Sequence, residues 1–244
     1  MAESETTTGD LSVEIWRGKA EGRFETYRVP HRPSQTVLDV VTYVQRRLDL
    51  TLSYRFACRV GMCGSCAMMV NGAPRWTCRT HVDRVATGRR IRIGPLRNLP
   101  VIKDLATDMT AFFEKWRKAE GRFIPSATRA QPLARVEPSD RARRAADAAI
   151  ECIGCAVCYA ACDVVAWRPD YLGPAALNRA WTLVNDTRDA DRRRHLAAVA
   201  DDAGCHACHN HQGCQTFCPK ALNPTAAIAG LKRATILTAL KGAL

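Results

Sequence analysis

Cysteine is the residue type in this chain whose spacing most clearly indicates chemistry. The sequence has 12 cysteines among 244 residues, well below the roughly 8–10% that is typical of disulfide scaffolds. They fall into three groups of four, at 58–78, 152–162 and 205–218. Residues 1–10 lack the basic and apolar stretches of a secretory signal, so we expect a reducing compartment. In such a compartment, grouped cysteines favour metal binding over disulfides.

The first group predicts a [2Fe–2S] cluster. Its spacing, C-x4-C-x2-C-x11-C, is that of plant-type ferredoxins, and its members are Cys58, Cys63, Cys66 and Cys78. Gly61 and Gly64 allow the backbone to wrap closely, so that main-chain N–H groups can bond to the cluster sulfurs. The alternative is a zinc site, but structural zinc prefers two C-x2-C pairs and this group has one.

The second group has the C-x2-C-x2-C-x3-C spacing of bacterial ferredoxins, with the cysteines Cys152, Cys155, Cys158 and Cys162. In that motif the fourth cysteine binds the neighbouring cluster, so a second run is required. The third group supplies it as C-x2-H-x2-C-x3-C-P, in which His211 stands at the position of the second cysteine; its cysteines are Cys208, Cys214 and Cys218.

An exchange of fourth ligands between the two runs predicts two further clusters. A [4Fe–4S] cluster would be bound by Cys152, Cys155, Cys158 and Cys218. The other cluster would receive the three thiolates of Cys162, Cys208 and Cys214, which best fit a [3Fe–4S] cluster that lacks one iron corner.

Cys205 remains outside these sets. With Cys208 and His209 it forms C-x-x-C-H, the pattern of c-type haem attachment. We reject that interpretation because Cys208 is needed as a cluster ligand and a thioether would occupy its sulfur. Cys205 is therefore predicted to be a small buried residue beside the cluster.

The elements around the first group predict a small α+β domain of the β-grasp kind over 11–105. Alternating apolar residues flank a Gly-containing segment at 18–22, which indicates a β-hairpin. Apolar residues recur at helical spacing after Thr36, a suitable N-cap. A strand at 67–70 turns at Asn71-Gly72, and Ile91 and Ile93 indicate another strand.

The remaining sequence is predicted to be helical. We expect a helix over 101–119. The stretch 121–138 has three prolines and few apolar residues, so it is predicted to be irregular. Residues 106–138 are therefore predicted to be a connecting helix and linker. Helices are then predicted over 139–151, 174–186, 189–202 and 223–242. These form an all-α, ferredoxin-like domain over 139–244 that carries two clusters, and residues 1–10 are predicted to be a disordered tail.

The charge of the chain does not indicate a nucleic-acid partner. The formal net charge is +12, but the basic residues are scattered and no groove-reading motif occurs. Each thiolate-bound cluster brings a net charge of about −2, so three clusters would remove roughly half of the excess. The rest would suit an acidic partner or an anionic membrane surface. No stretch approaches the roughly 20 apolar residues of a transmembrane helix, so we expect a peripheral subunit.

Together the motifs resemble the iron–sulfur subunit of succinate dehydrogenase and fumarate reductase, over nearly the whole chain. The segments that carry the resemblance are Cys63-Gly64-Ser65-Cys66-Ala67-Met68, 100–105, 150–162, Gly173-Pro174-Ala175-Ala176, Cys218-Pro219-Lys220 and Asn223-Pro224.

The resemblance implies a place in a multi-subunit succinate:quinone oxidoreductase. A flavoprotein subunit would interconvert succinate and fumarate on FAD, and this chain would pass electrons through [2Fe–2S], [4Fe–4S] and [3Fe–4S] clusters to a quinone. The complex would include a membrane anchor, with this chain bound peripherally at the cytoplasmic face of the inner membrane. The chain has no Gly-rich flavin-binding βαβ motif, so the carbon chemistry does not lie on it. The alternative is an electron carrier for a different flavin dehydrogenase, without quinone contact.

The resemblance also implies quinone-binding residues, which correspond here to Trp167 and His209. For His211 two interpretations remain: it adds a hydrogen bond or proton donor to the quinone pocket, or its imidazole ligates iron as in Rieske centres. We expect the first. Departures from the family pattern occur at Val60, Asp163, Ala166 and His211.

Overall fold

A computed structural model describes residues 9–244 as two compact units. The first unit extends to Met109 and includes Cys155–Val157, and the second comprises Thr110–Gly154 and Cys158–Leu244. Of the predicted tail, residues 1–8 lie outside the described part of the chain, whereas Asp10 is the first residue of a strand.

The first unit is built on a five-stranded sheet with the strand order β2-β1-β5-β3-β4. Its strands β1 and β2 form the predicted hairpin, and β1 pairs in parallel with β5, while the other neighbours are antiparallel. The bounds are β1 Asp10–Arg17, β2 Arg23–Pro30, β3 Ala67–Val70, β4 Ala73–Trp76 and β5 Arg90–Gly94.

Helix α1, Val37–Tyr43, packs on this sheet and continues as one π-helical stretch, Val44–Leu48. Thr36 is its N-cap, as predicted: the Thr36 hydroxyl accepts from the Asp39 N–H at 3.2 Å, and the Asp39 carboxylate accepts from the Thr36 N–H at 3.0 Å. The alternating residues of β1 face the helix in one core, in which Leu11, Val13, Ile15, Val37, Val40 and Val41 are buried.

The predicted helix over 101–119 is wrong in its first half. A short hairpin, β6 Val101–Lys103 and β7 Ala106–Thr107, precedes α2, Thr110–Lys118. Asp104 makes the turn with a φ of 53°, and its buried carboxylate accepts from the N–H groups of Gly18 and Ser53, both at 2.8 Å, and from Arg17 at 3.0 Å. These long-range partners hold a turn that helical periodicity could not indicate.

The second unit is helical and carries the last eight cysteines except Cys155 on loops and short helices. Its helices after α2 are α3 Arg141–Ile150, α4 Val157–Ala160, α5 Asp163–Trp167, α6 Pro174–Asn185, α7 Arg192–Ala197, α8 Gly213–Thr216 and α9 Pro224–Leu240. Across residues 9–244, none of the helices has the length and apolar character needed to span a bilayer.

The helix predicted over 189–202 is shorter than expected. Asp191 caps α7 by accepting from the Arg194 N–H at 3.0 Å. The Asp189 side chain is fully buried and lies 3.0 Å from the buried ring of His195, while also accepting from the Ile124 N–H at 2.9 Å. The Asp191 carboxylate thus caps the first turn of α7, while Asp189 binds an N–H group outside the helix, so the helix begins after Asp191.

Candidate metal centres

The loop that carries the first cysteines wraps its backbone around the Cys58 sulfur. The N–H groups of Met62 and Cys63 point at Cys58 Sγ, at 3.2 and 3.4 Å. Gly61 makes this possible with a φ of 74°, in the region that favours glycine. Together with the N–H of Val60, which has the largest effect, these donors lower the pKa of the Cys58 thiol to about 6. The loop is therefore arranged to hold an anionic sulfur.

The other half of the set is buried. Cys66 and Cys78 are packed with Leu38, Tyr54 and Trp76. Cys78 donates its backbone N–H to Cys66 Sγ at 3.5 Å, and burial, followed by the neighbouring Cys66, raises the pKa of the Cys78 thiol to about 11. Free cysteines in this setting fit a bound cation that would offset the cost of the thiolates.

In the second unit, Cys152 of the second group lies near Cys218 of the third group. Burial raises the pKa of the Cys152 thiol, and the nearby negative charge of Cys218 adds to this shift. Cys155 lies on the loop before α4 and Cys158 within α4, both half-buried and both without a disulfide.

A second convergence involves the other three predicted ligands. One cavity is lined by Cys162, Cys208 and Cys214, together with Tyr171 and Ile228. Burial is the largest cause of the raised pKa of Cys162 and Cys214, and each is also affected by the charge of Cys208. Three thiols facing one small cavity fit a cluster with three thiolate ligands.

Sequence reasoning missed the side chains that support this cavity. Buried Tyr171 hydrogen-bonds to Cys208, and Thr225 places its hydroxyl 3.5 Å from Cys214 Sγ. The ammonium of Lys232 donates to the Cys208 carbonyl at 2.7 Å. For Thr225 the sequence did contain a signal. It follows Asn223-Pro224, which mark the start of α9, so it lies in the first turn of that helix.

Two of the residues predicted to bind quinone line this cavity, and the third packs against one of them. His209 and His211 line it, with ring centroids 6.2 Å apart. The Trp167 ring, 67% exposed, lies edge-on to His211 with centroids 5.6 Å apart. Asp163, one of the departures from the family pattern, places Oδ2 at 3.8 Å from His211 Nδ1.

Cys205 is fully buried, in agreement with its predicted role as a small core residue. Its Sγ lies 3.9 Å from the Thr235 hydroxyl, which is also 3.1 Å from His206 Nε2.

Within 9–244, no three His, Cys, Asp or Glu side chains are grouped as they would be around one metal ion. An iron–sulfur cluster spreads its ligands around several metal and sulfide atoms.

Comparison with known proteins gives the same division of the chain. Residues 12–114 match the model of a 2Fe-2S iron-sulfur cluster binding domain, and residues 151–223 match that of a 4Fe-4S dicluster domain. The chain is 39% identical to the fumarate reductase iron-sulfur subunit of Mycobacterium tuberculosis, over 95% of this chain and 94% of that protein. It is 35% identical to the succinate dehydrogenase iron-sulfur subunit of Paracoccus denitrificans, over 86% of this chain and 80% of that protein.

A solved structure extends the likeness to the fold. The chain is similar to one in the Mycobacterium smegmatis Sdh1 complex in the apo form, with a TM-score of 0.84 at 28% identity, covering 93% of this chain and 96% of the other. The predicted fold class, a [2Fe–2S] ferredoxin domain followed by a helical dicluster domain, is confirmed. The chain belongs to the family of iron–sulfur subunits of succinate dehydrogenase and fumarate reductase, and it is an electron-transfer subunit of such an oxidoreductase.

Proposed function

We propose that this subunit relays electrons between the FAD of a flavoprotein subunit and a membrane quinone. The observation that carries the proposal is one cavity lined by cysteines of two sequence groups and by two of the three predicted quinone residues. A terminal cluster held there would lie directly beside His209 and His211. The bound clusters supply one-electron chemistry, and the protein positions them and sets their potentials.

We assign eleven cysteines as ligands. Backbone donors around Cys58 and the burial of Cys78 support the [2Fe–2S] set Cys58, Cys63, Cys66 and Cys78. The charge interaction of Cys152 with Cys218 supports the [4Fe–4S] set Cys152, Cys155, Cys158 and Cys218. The shared cavity supports the [3Fe–4S] set Cys162, Cys208 and Cys214.

The quinone is proposed to bind between Trp167 and the two histidines. Reduction of a quinone to a quinol takes up two electrons and two protons, so the site needs a proton donor beside the terminal cluster. His211 can donate a hydrogen bond or a proton to a quinone oxygen. The Asp163 carboxylate, whose Oδ2 lies 3.8 Å from His211 Nδ1, helps to orient the ring.

Contact with a membrane anchor is proposed for the same unit. Helix α9 exposes Ile236, Leu237 and Leu240, by 51%, 47% and 80%. Three neighbouring apolar side chains at the surface are typical of an interaction site. The subunit would then bind peripherally, at the cytoplasmic face of the membrane.

The test is purification with native partners under anaerobic conditions, followed by a succinate–quinone assay. We expect Trp167→Leu and His209→Gln to lower quinone reduction at least about tenfold, as for loss of a positioned group, with iron content unchanged. Succinate-dependent reduction of an artificial electron acceptor should be retained, and His81→Gln serves as a control in the first unit. Full quinone turnover in both variants would reject the assigned site. A complex that oxidises a substrate without any quinone reduction would instead favour a relay for a different flavin dehydrogenase.

A further inference from the structure

Lys115, on α2, is a buried cation in the second unit. The residue is 8% exposed, whereas its neighbours Lys118 and Glu114 on the same helix lie at the surface. Its ammonium donates to the Tyr159 hydroxyl at 2.8 Å and lies 4.9 Å from the centroid of the Tyr159 ring. Because burial of an ammonium is costly without compensation, a lysine in this place must interact with its surroundings.

The partner of Lys115 belongs to the cysteine run itself. Tyr159 lies between Cys158 and Cys162, which are assigned to two different clusters. Its ring is 4% exposed and packs edge-on against Phe112, with centroids 5.4 Å apart. The ring also lies close to Gly173, where an added Cβ would be 3.1 Å from it. The ring is therefore fixed in place, and it fixes the ammonium.

The charges around Lys115 only partly offset the effect of burial on its pKa. Burial is the largest effect and lowers the pKa of Lys115, while the negative charges of Asp170 and Cys162 raise it. The positive charge of Lys118 lowers it, by less than Asp170 raises it and by no less than Cys162 raises it. The geometry links the ammonium to the same cluster ligand: Tyr159, which accepts from Lys115 through its hydroxyl, also accepts the Cys162 backbone N–H through its carbonyl at 3.3 Å.

We propose that the Lys115 ammonium is a fixed positive charge that favours the reduced state of the cluster bound by Cys162. An added electron makes a thiolate-bound cluster more negative, so a nearby cation stabilises the reduced form more than the oxidised form. The low polarity around Lys115 strengthens this effect, because water does not screen the charge. The inference rests on the proposed assignment of Cys162 as a ligand.

Lys115 is thus not a cluster ligand. Its charge acts on how easily the cluster bound by Cys162 is reduced. By making the terminal cluster easier to reduce, it biases the relay toward the cavity beside Trp167 and His211. The [4Fe–4S] cluster, whose ligand Cys158 is the other neighbour of Tyr159, should be affected in the same direction.

The test is a redox titration of the complex followed by electron paramagnetic resonance. Lys115→Gln removes the charge but keeps an amide that can donate to the Tyr159 hydroxyl. We expect its ratio of reduced to oxidised three-iron cluster, at a fixed poised potential, to fall by about three- to tenfold, where tenfold corresponds to 59 mV. Lys115→Arg should keep the wild-type ratio, and Tyr159→Phe should give a smaller fall. Lys118→Gln is the control on the same helix and should leave the ratio unchanged.

Two results would overturn the proposal. One is a wild-type potential in Lys115→Gln with full iron content, and the other is an equal shift in Lys115→Gln and Lys118→Gln. If Lys115→Gln loses iron, the titration is made with Lys115→Met instead, because the unbranched apolar side chain of methionine suits the buried position. An unchanged ratio of reduced to oxidised cluster in Lys115→Met would also contradict the proposal. The readout needs no quinone, so failure of the quinone site and failure of this inference are distinguishable.

Discussion

The loop around Cys58 and the cavity lined by Cys162 and Cys214 surround their sulfurs in opposite ways. Around Cys58, the donors are backbone N–H groups of the same loop, from Val60, Met62 and Cys63. Around the cavity of Cys162 and Cys214, the surroundings are buried, and the supporting groups come from elements that are distant in sequence. The Cys58 loop is a local structure, whereas the cavity is a product of the tertiary fold.

This difference changes the electrostatics of the thiols. The loop lowers the pKa of Cys58 to about 6, so its sulfur is already suited to an anionic state. In the cavity, burial raises the pKa of Cys162 and Cys214, so each additional thiolate is costly. A cluster with three thiolates, and an imidazole where a fourth cysteine would be, carries less negative charge into that cavity. The replacement at His211 therefore suits its surroundings.

The largest effect should come from removal of a cavity ligand. We expect Cys214→Ser to lose the three-iron cluster and to reduce the iron content from about nine atoms to about six. Cys205→Ser is the matched control, since Cys205 is also buried but is not an assigned ligand, and it should keep all three signals. Iron and acid-labile sulfide analysis with electron paramagnetic resonance measures both. Loss of the three-iron signal in Cys205→Ser would show that the ligand sets are wrongly assigned.

A change of cluster type should follow from His211→Cys. A fourth thiolate at this position completes the ferredoxin spacing, so we expect conversion to [4Fe–4S], a lower potential and slower quinone reduction. His209→Cys, which lies outside that spacing, is the control and should keep the three-iron signal. His211→Ala should also keep it, with weaker quinone turnover. If His211→Ala instead creates a three-iron signal absent from the wild type, the imidazole is a ligand.

The local loop should be broken separately by Gly61→Ala. Gly61 has a φ of 74°, and an added Cβ would lie 3.1 Å from the Arg79 side chain and 3.2 Å from the Trp76 ring. We expect a cost of about 1–2 kcal/mol from the left-handed backbone alone and partial loss of the [2Fe–2S] signal, with the other two signals retained. Gly72→Ala has a similar φ of 80° and no atom within 4 Å of the new Cβ, so it should keep the cluster. Equal loss in both would mean that crowding at the loop is unimportant.

The smallest effect should follow from Thr225→Val, which removes one hydroxyl 3.5 Å from Cys214 Sγ. A hydrogen bond to a charged group contributes about 1.5–3 kcal/mol, and only part of it distinguishes the reduced from the oxidised cluster. We therefore expect a shift of a few-fold toward the oxidised three-iron cluster in a redox titration. Thr238→Val, on the same helix with its hydroxyl bonded to the Ala234 carbonyl, should cause none. A shift in the opposite direction would show that the Thr225 hydroxyl does not stabilise the reduced state.

Errors in the predicted secondary structure occurred where distant residues decide the backbone. The segment 101–107 is apolar enough for a helix, but Asp104 turns it into a hairpin through bonds to Gly18 and Ser53. Similarly, α7 is shortened because Asp189 binds the Ile124 N–H and the His195 ring. Local spacing contains no information about such partners.

The sequence by itself determined the grouping of the cysteines, because ligands of one loop are separated by only a few residues and the chain between them has little freedom. It also determined the first hairpin and the capped helix at Thr36, which depend on short-range periodicity and a local hydrogen bond. Only the tertiary structure decided the surroundings of the cavity and the burial of Lys115 against Tyr159. The physical reason is that desolvation and charge depend on which elements pack together, and packing joins residues that no spacing rule relates.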